Sequence, residues 1–221
     1  MWGTTLAVQS VVARPASPRS AISRLRGLGS VTLDYNNDGR LEVAGGTNAI
    51  TFVTISRHPH LEIRTANGTP TNIVWHWGDG TFSKGSLLAD HDFGAPGLHT
   101  NYVEVLPRES LTYFGAAYRV TDQGIQGIYG LTNFPNLNFL YLYRESITDL
   151  SLAGCSNLVQ LHLAGNPVST SVCDQWFIDL DNAVTGPVTG ADFWYPKSAR
   201  SAASDAAWTN LVSKGYIMRP L

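Results

Sequence analysis

Histidines, carboxylates and thiols are the side chains of this 221-residue chain with the means to do chemistry, and their spacing decides which chemistry. His58-Pro59-His60 sets two imidazoles two residues apart. On a strand both rings would face one side and could ligate a metal, but no third ligand is evident from the sequence, so the pair reads as structural or exposed. His91 lies between Asp90 and Asp92 in a loop, with no activating environment that would make a hydrolytic dyad of them. Asp34-x-Asn36-x-Asp38-Gly39 fits the start of a calcium loop, which makes Asp34, Asn36 and Asp38 candidate calcium ligands. The twelfth position, where such a loop needs a bidentate acid, is Gly45, and a hairpin is the preferred reading. Cys155 and Cys173 form no C-x-x-C and sit among apolar residues, as buried free thiols do. G-x-S-x-G, P-loop and H-E-x-x-H patterns do not occur. The chain is therefore expected not to be an enzyme and to need no cofactor, the calcium reading aside.

The rest of the sequence must supply the elements that hold these residues. Hydrophobic residues make up 43% of the chain, enough for a core, and 14% are charged, against about 25% in an average soluble protein. That mixture excludes collagen, coiled coil and wholesale disorder. The charge is uneven. Residues 1–30 hold Arg14, Arg19, Arg24 and Arg26 and no acid, which leaves all 17 acidic side chains in the remainder. An acidic body excludes general nucleic-acid binding, which needs clustered cations. No apolar run is long enough for a helix to span a bilayer, so no membrane insertion is expected. The apolar start is broken by Thr4, Thr5, Gln9 and Ser10, and its arginines come late, so no secretory signal is expected either. Asn67-Gly68-Thr69 is a lone glycosylation sequon. Residues 1–30, interrupted by Pro15 and Pro18, read as a basic arm held either by the chain's own body or by a neighbouring subunit.

Residues 31–44 alternate Val31, Leu33 and Tyr35, then Leu41 and Val43, around Asn36–Gly39, a hairpin signal. Short strands follow in AITFVTI, LEIRTA, NIVWHW and LHTNYVEVL, spaced as in an antiparallel sandwich. Trp75 and Trp77, two apart, should share one face, with His76 on the other. Trp75-His76-Trp77-Gly78-Asp79-Gly80-Thr81, then His91-Asp92-Phe93, Ala95-Pro96-Gly97 and Tyr102-Val103-Glu104-Val105, resemble the W-x-F-G-D-G-T, H-x-[YF], PG and Y-x-V elements of polycystic-kidney-disease-type (PKD) domains. The resemblance implies an Ig-like spacer or binding module, with a structural role for His91.

Further on, Leu137-x-x-Leu140-x-Leu142-x-x-Glu145-x-Ile147 recurs as Leu158-x-x-Leu161-x-Leu163-x-x-Asn166-x-Val168, every member displaced by 21. A weaker copy aligns Tyr118, Val120, Gln123, Ile125 and Ile128 with Leu140, Leu142, Glu145, Ile147 and Leu150 at a displacement of 22. The pattern resembles the leucine-rich repeat of short bacterial and phage-type units. Leucines of each strand would go inward. Asn138, Phe139, Tyr141 and Tyr143, then Val159, Gln160, His162 and Ala164, would point outward, and Phe139, Tyr141, Tyr143, Gln160 and His162 are the candidate binding residues. Ser171 is expected to cap a helix with Val172, Cys173, Trp176, Phe177, Leu180 and Val184 inward. A strand at 191–195 follows. Ser204 then caps a second helix with Trp208, Leu211 and Val212 inward, before a closing strand at 216–219.

The fold class expected is mainly β with an α/β C-terminal part: a basic arm (1–30), a PKD-like β-sandwich with its N-terminal hairpin (31–108), and a leucine-rich-repeat solenoid with a helical cap (109–221). The function expected is a non-catalytic structural or interaction subunit on the surface of a phage or similar virion. Arg14, Arg19, Arg24 and Arg26 would anchor it to neighbouring protein subunits, and its modules would meet host-surface protein or glycan. The alternative is a bacterial extracellular adhesin or carbohydrate-associated module at the cell surface.

Overall fold

The computed structural model describes residues 31–33, 42–44, 48–66, 72–116 and 124–221. The arginines of the arm, the candidate calcium ligands Asp34, Asn36 and Asp38, the sequon at Asn67, and Tyr118, Val120 and Gln123 lie outside the described residues. The molecule is mainly β. A small antiparallel ribbon pairs β1 (Val31–Leu33) with β2 (Glu42–Ala44), Val31 opposite Ala44. The antiparallel half continues with β3 (Ala49–Thr54), β4 (His60–Thr65), β5 (Asn72–His76), β6 (Phe82–Lys84), β7 (Leu88–Asp90) and β8 (His99–Leu106). Next come β9 (Leu111–Ala116), β10 (Ile125–Tyr129), β11 (Phe139–Tyr141), β12 (Asp149–Leu150), β13 (Gln160–His162), α1 (Thr170–Ala183), β14 (Ala191–Tyr195), α2 (Asp205–Ser213) and β15 (Tyr216–Pro220). Among the described residues no helix is long and apolar enough to cross a membrane.

Two large sheets carry these strands. One runs β12-β10-β3-β8-β5-β6, the other β15-β14-β13-β11-β9-β4-β7. Each changes from antiparallel to parallel at one strand. In the second, β9 sets Phe114 opposite Ile63 of antiparallel β4 and beside Leu140 of parallel β11. In the first, β10 sets Ile128 opposite Phe52 of β3 and beside Leu150 of β12. Both sheets therefore pass without a break from the antiparallel segment into the repeat segment. One contiguous core fills the space between them, from Trp75 and Phe52 through Phe114, Leu140 and Leu161 to Trp176 and Phe193.

The alternation read from the sequence places the tryptophans as expected: Trp75 and Trp77 are buried, and His76 between them is partly exposed against Tyr102. The regular displacement of the repeat is equally visible, because Leu140 lies directly beside Leu161 in parallel register. The preceding, weaker unit needs correction. Ile128 does sit beside Leu150, as the alignment expects, but the residue beside Leu140 is Phe114, four positions before Tyr118. The strand at this place must also satisfy β4 on its other edge, and that second ladder fixes its register.

The helical segment departs in its details. Ser169, two positions before Ser171, caps α1 by accepting from the Val172 amide at 3.4 Å. The inward stripe of α1 is as expected. Ser204 stands at the start of α2, but its hydroxyl donates to Asp174 at 2.6 Å instead of accepting from the helix. Val212 is 42% exposed, because the short α2 turns Ala207 and Leu211, four apart, to the core. The free thiols of Cys155 and Cys173 are buried, which pushes both up to about 12 and leaves them protonated and inert.

Candidate functional site

The face of the second sheet turned away from the core gathers most of the candidate residues. Strand alternation sends Leu140, Leu161 and Phe193 inward and their neighbours outward. The register arranges the outward residues in two rows. One runs Arg64, Tyr113, Phe139, Gln160, Asp192, Ile217. The other runs Glu62, Gly115, Tyr141, His162, Trp194, Arg219 across the same six strands.

The rings touch across the strands. Tyr113 and Phe139 lie 5.0 Å apart, Phe139 and His162 5.5 Å, Tyr141 and His162 5.0 Å, and His162 and Trp194 5.5 Å. Their planes are tilted by 33–39° to one another, and Phe139, Tyr141, His162 and Trp194 remain partly exposed. Cations close both ends of the stripe. The Arg64 guanidinium lies 4.5 Å above the Tyr113 ring, and that of Arg219 lies 5.2 Å above Trp194. Asp192 takes Arg219 Nε at 2.7 and 2.8 Å and Glu62 takes Arg64 Nε at 2.6 Å, which fixes both cations in place.

Gly115 makes the stripe continuous. A Cβ at this position would collide with the Tyr141 carbonyl and come within 3.1 Å of the Tyr113 hydroxyl. Its absence lets the Tyr113 ring lean along β9. Burial lowers His162 from the ordinary histidine range, so its ring is neutral near pH 7. Burial raises the Tyr113 hydroxyl, which stays protonated.

Of the candidate residues, Phe139, Tyr141, Gln160 and His162 are brought together here. Gln160 donates Nε2 to the Gly190 carbonyl at 2.8 Å and so steadies the loop before β14. Tyr143 lies beyond the end of β11, in the turn, with the Arg144 guanidinium 5.1 Å from its ring. Val159 packs against the core and Ala164 is buried, so neither is on the face. Sequence reasoning misses Tyr113 and Trp194. The alternation of Ala191, Phe193 and Tyr195 inward is the signal that marks Trp194 as outward. Tyr113 is hidden by the four-position offset in aligning its unit.

His91 is placed against Asp79 rather than in a dyad with Asp90 or Asp92. Its Nε2 lies 2.7 Å from Asp79 Oδ2, and its ring stacks on Trp77 at 4.6 Å. Burial would raise Asp79, but hydrogen bonds from Thr81 and His91 outweigh it and hold the carboxyl at about 2. The chain matches no protein-family model, no curated protein and no solved structure. The resemblances to PKD-type and leucine-rich-repeat units rest on the residues and motifs themselves.

Proposed function

We propose that this protein is a non-catalytic interaction subunit that holds a protein partner on the aromatic face of its second sheet. The observation that carries the reading is the stripe of Tyr113, Phe139, Tyr141, His162 and Trp194, partly exposed along most of its length and bracketed by Arg64 and Arg219. Aromatic residues and arginine are the residue types that dominate protein interfaces. In fold terms, we read the antiparallel half as a PKD-type sandwich, supported by the inward Trp75 and Trp77 and the His91–Asp79 pair at its turn. We read the parallel half as a leucine-rich-repeat solenoid, supported by the in-register pairing of successive units.

The setting proposed is the surface of a phage or similar virion, with the basic arm seated on a neighbouring subunit; residues 1–30 of the sequence support it. Selection of displayed peptides on the full chain, beside a glycan array, tests the partner class. Peptide binders are expected, and Trp194→Ala or Tyr141→Ala should weaken them on the order of 10–30-fold. Glycan hits lost in those variants, with no peptide selected, would overturn the protein reading in favour of the adhesin alternative.

A further inference from the structure

At the outer edge of the same sheet, on the face that also carries Glu62 and Arg64, the third ligand that the His58-Pro59-His60 sequence does not reveal comes from β7. His60 of β4 lies directly opposite Asp90 of β7 in the antiparallel register. Asp90 Oδ1 is 3.4 Å from His60 Nδ1 and 3.5 Å from His58 Nδ1, and the three ligand atoms all lie within 4.8 Å of one another. Two ligands at about 2.0–2.1 Å from a tetrahedral zinc stand roughly 3.4 Å apart. Both Asp90 separations match that spacing.

The outer surroundings of His58 add an independent observation. Its other nitrogen, Nε2, lies 3.1 Å from Asp92 Oδ2. Asp92 is gripped by Arg57 through Nε at 2.7 Å and a second nitrogen at 2.9 Å, and by the Gly94 amide at 2.7 Å. Held by these donors, Asp92 is placed to accept from His58 Nε2–H. That bond selects the tautomer whose Nδ1 lone pair faces Asp90. A carboxylate behind a ligating histidine is the usual arrangement around protein-bound metals.

We propose that His58, His60 and Asp90 form a binding site for a divalent transition-metal ion of the zinc type, with Asp92 as the residue that positions His58. Two imidazoles and one carboxylate suit Zn²⁺, Co²⁺ or Ni²⁺ and disfavour Ca²⁺ and Mg²⁺, which prefer all-oxygen sites. The ion would staple edge strand β7 to β4, and the exposed side chains leave its remaining coordination positions to solvent.

Calorimetric titration of the full chain with ZnCl₂, in excess Ca²⁺ to saturate any hard-cation site, tests the proposal. One Zn²⁺ per chain is expected, and Co²⁺ should give the visible bands of a tetrahedral site. His60→Ala and Asp90→Asn should each weaken Zn²⁺ by ~100-fold or more, and Asp92→Asn by about 10–100-fold, the usual effect of removing such a positioning carboxylate. The side chains concerned are 35–61% exposed, so the variants should keep the wild-type circular dichroism. His76→Ala, which removes the imidazole beside Glu104 on the other sheet, should leave binding unchanged. No binding at millimolar Zn²⁺, binding that survives His60→Ala and Asp90→Asn, or binding lost in His76→Ala would overturn the site.

Discussion

Residues 49–106 and 125–220 bury the same kind of apolar core but differ in what else they bury. In the antiparallel half, tight turns return the chain at the surface, where exposed side chains such as Asp79, which accepts from the Thr81 amide, satisfy the backbone. Its buried interior is dominated by aromatics, with Phe52 edge-on to Trp75 and Trp77 at 6.2 and 6.3 Å. In the parallel half each connection crosses over the core and strands amides inside. Buried polar side chains meet them. Asn166 Oδ1 accepts from the Ile147 amide at 3.0 Å, while its Nδ2 donates to Leu142 and Leu163 at 2.7 and 2.8 Å. One unit earlier, Glu145 accepts from the Ile125 amide at 3.4 Å. Asp179 takes the Leu152 amide, and Asp174 takes Ser201 and Ser204. Buried Asn101 serves the backbone in the same way in the antiparallel half, but the crossing connections of the parallel half need more such groups inside.

The largest expected effect tests whether the two halves are one cooperative unit. Trp75→Ala removes a fully buried ring and should cost ~3–5 kcal/mol. Because both sheets run through both halves, urea unfolding followed by fluorescence and by far-ultraviolet circular dichroism should show one shifted transition. Two separate transitions would split the chain into independent units. Next in size, Asn166→Ala orphans three buried backbone groups and should cost on the order of 3 kcal/mol, with about 1–3 kcal/mol typical of each unsatisfied group. Asn101→Ala, which frees the Gly78 amide and the His99 carbonyl in the antiparallel half, should lower the urea midpoint less. The reverse order would break the contrast between the halves. The smallest effect is a gain. Arg144 and Gly165, at equivalent places in successive repeat units, both adopt left-handed backbone, at φ 56° and 78°. A non-glycine residue there is strained by roughly 1–2 kcal/mol, and glycine in turn loses roughly 0.5–1 kcal/mol in chain entropy. Arg144→Gly should therefore raise Tm slightly, and a lower Tm would show that the Arg144 contact with Tyr143 outweighs the backbone strain.

Much of this is legible in the sequence because periodicity records which side of an element faces inward. Alternation exposes Trp75, Trp77, Leu140 and Leu161 as core, and the strict repeat spacing matches the register of β11 against β13. What stays hidden depends on pairing between distant strands. Nothing local in LTYFGA tells that Phe114 must serve β4 and β11 together, so Tyr113 is not visible as part of the aromatic face. Asp90 is remote from His60 along the chain, and only the β4–β7 ladder makes them neighbours. Ser169 and Ser171 are equally good caps by residue type; packing of Asp174 against Ser201 and Ser204 decides between them.

The long second sheet also has two free edges, where a neighbouring molecule could in principle add a strand. On one side stands β7, three residues long and ending in Asp90. On the other, β15 carries Arg219 and closes with Pro220, which has no amide hydrogen to offer. Short length, charge and proline are the features that discourage edge-to-edge polymerisation. The sheet is therefore poorly suited to growth along its hydrogen-bonding direction.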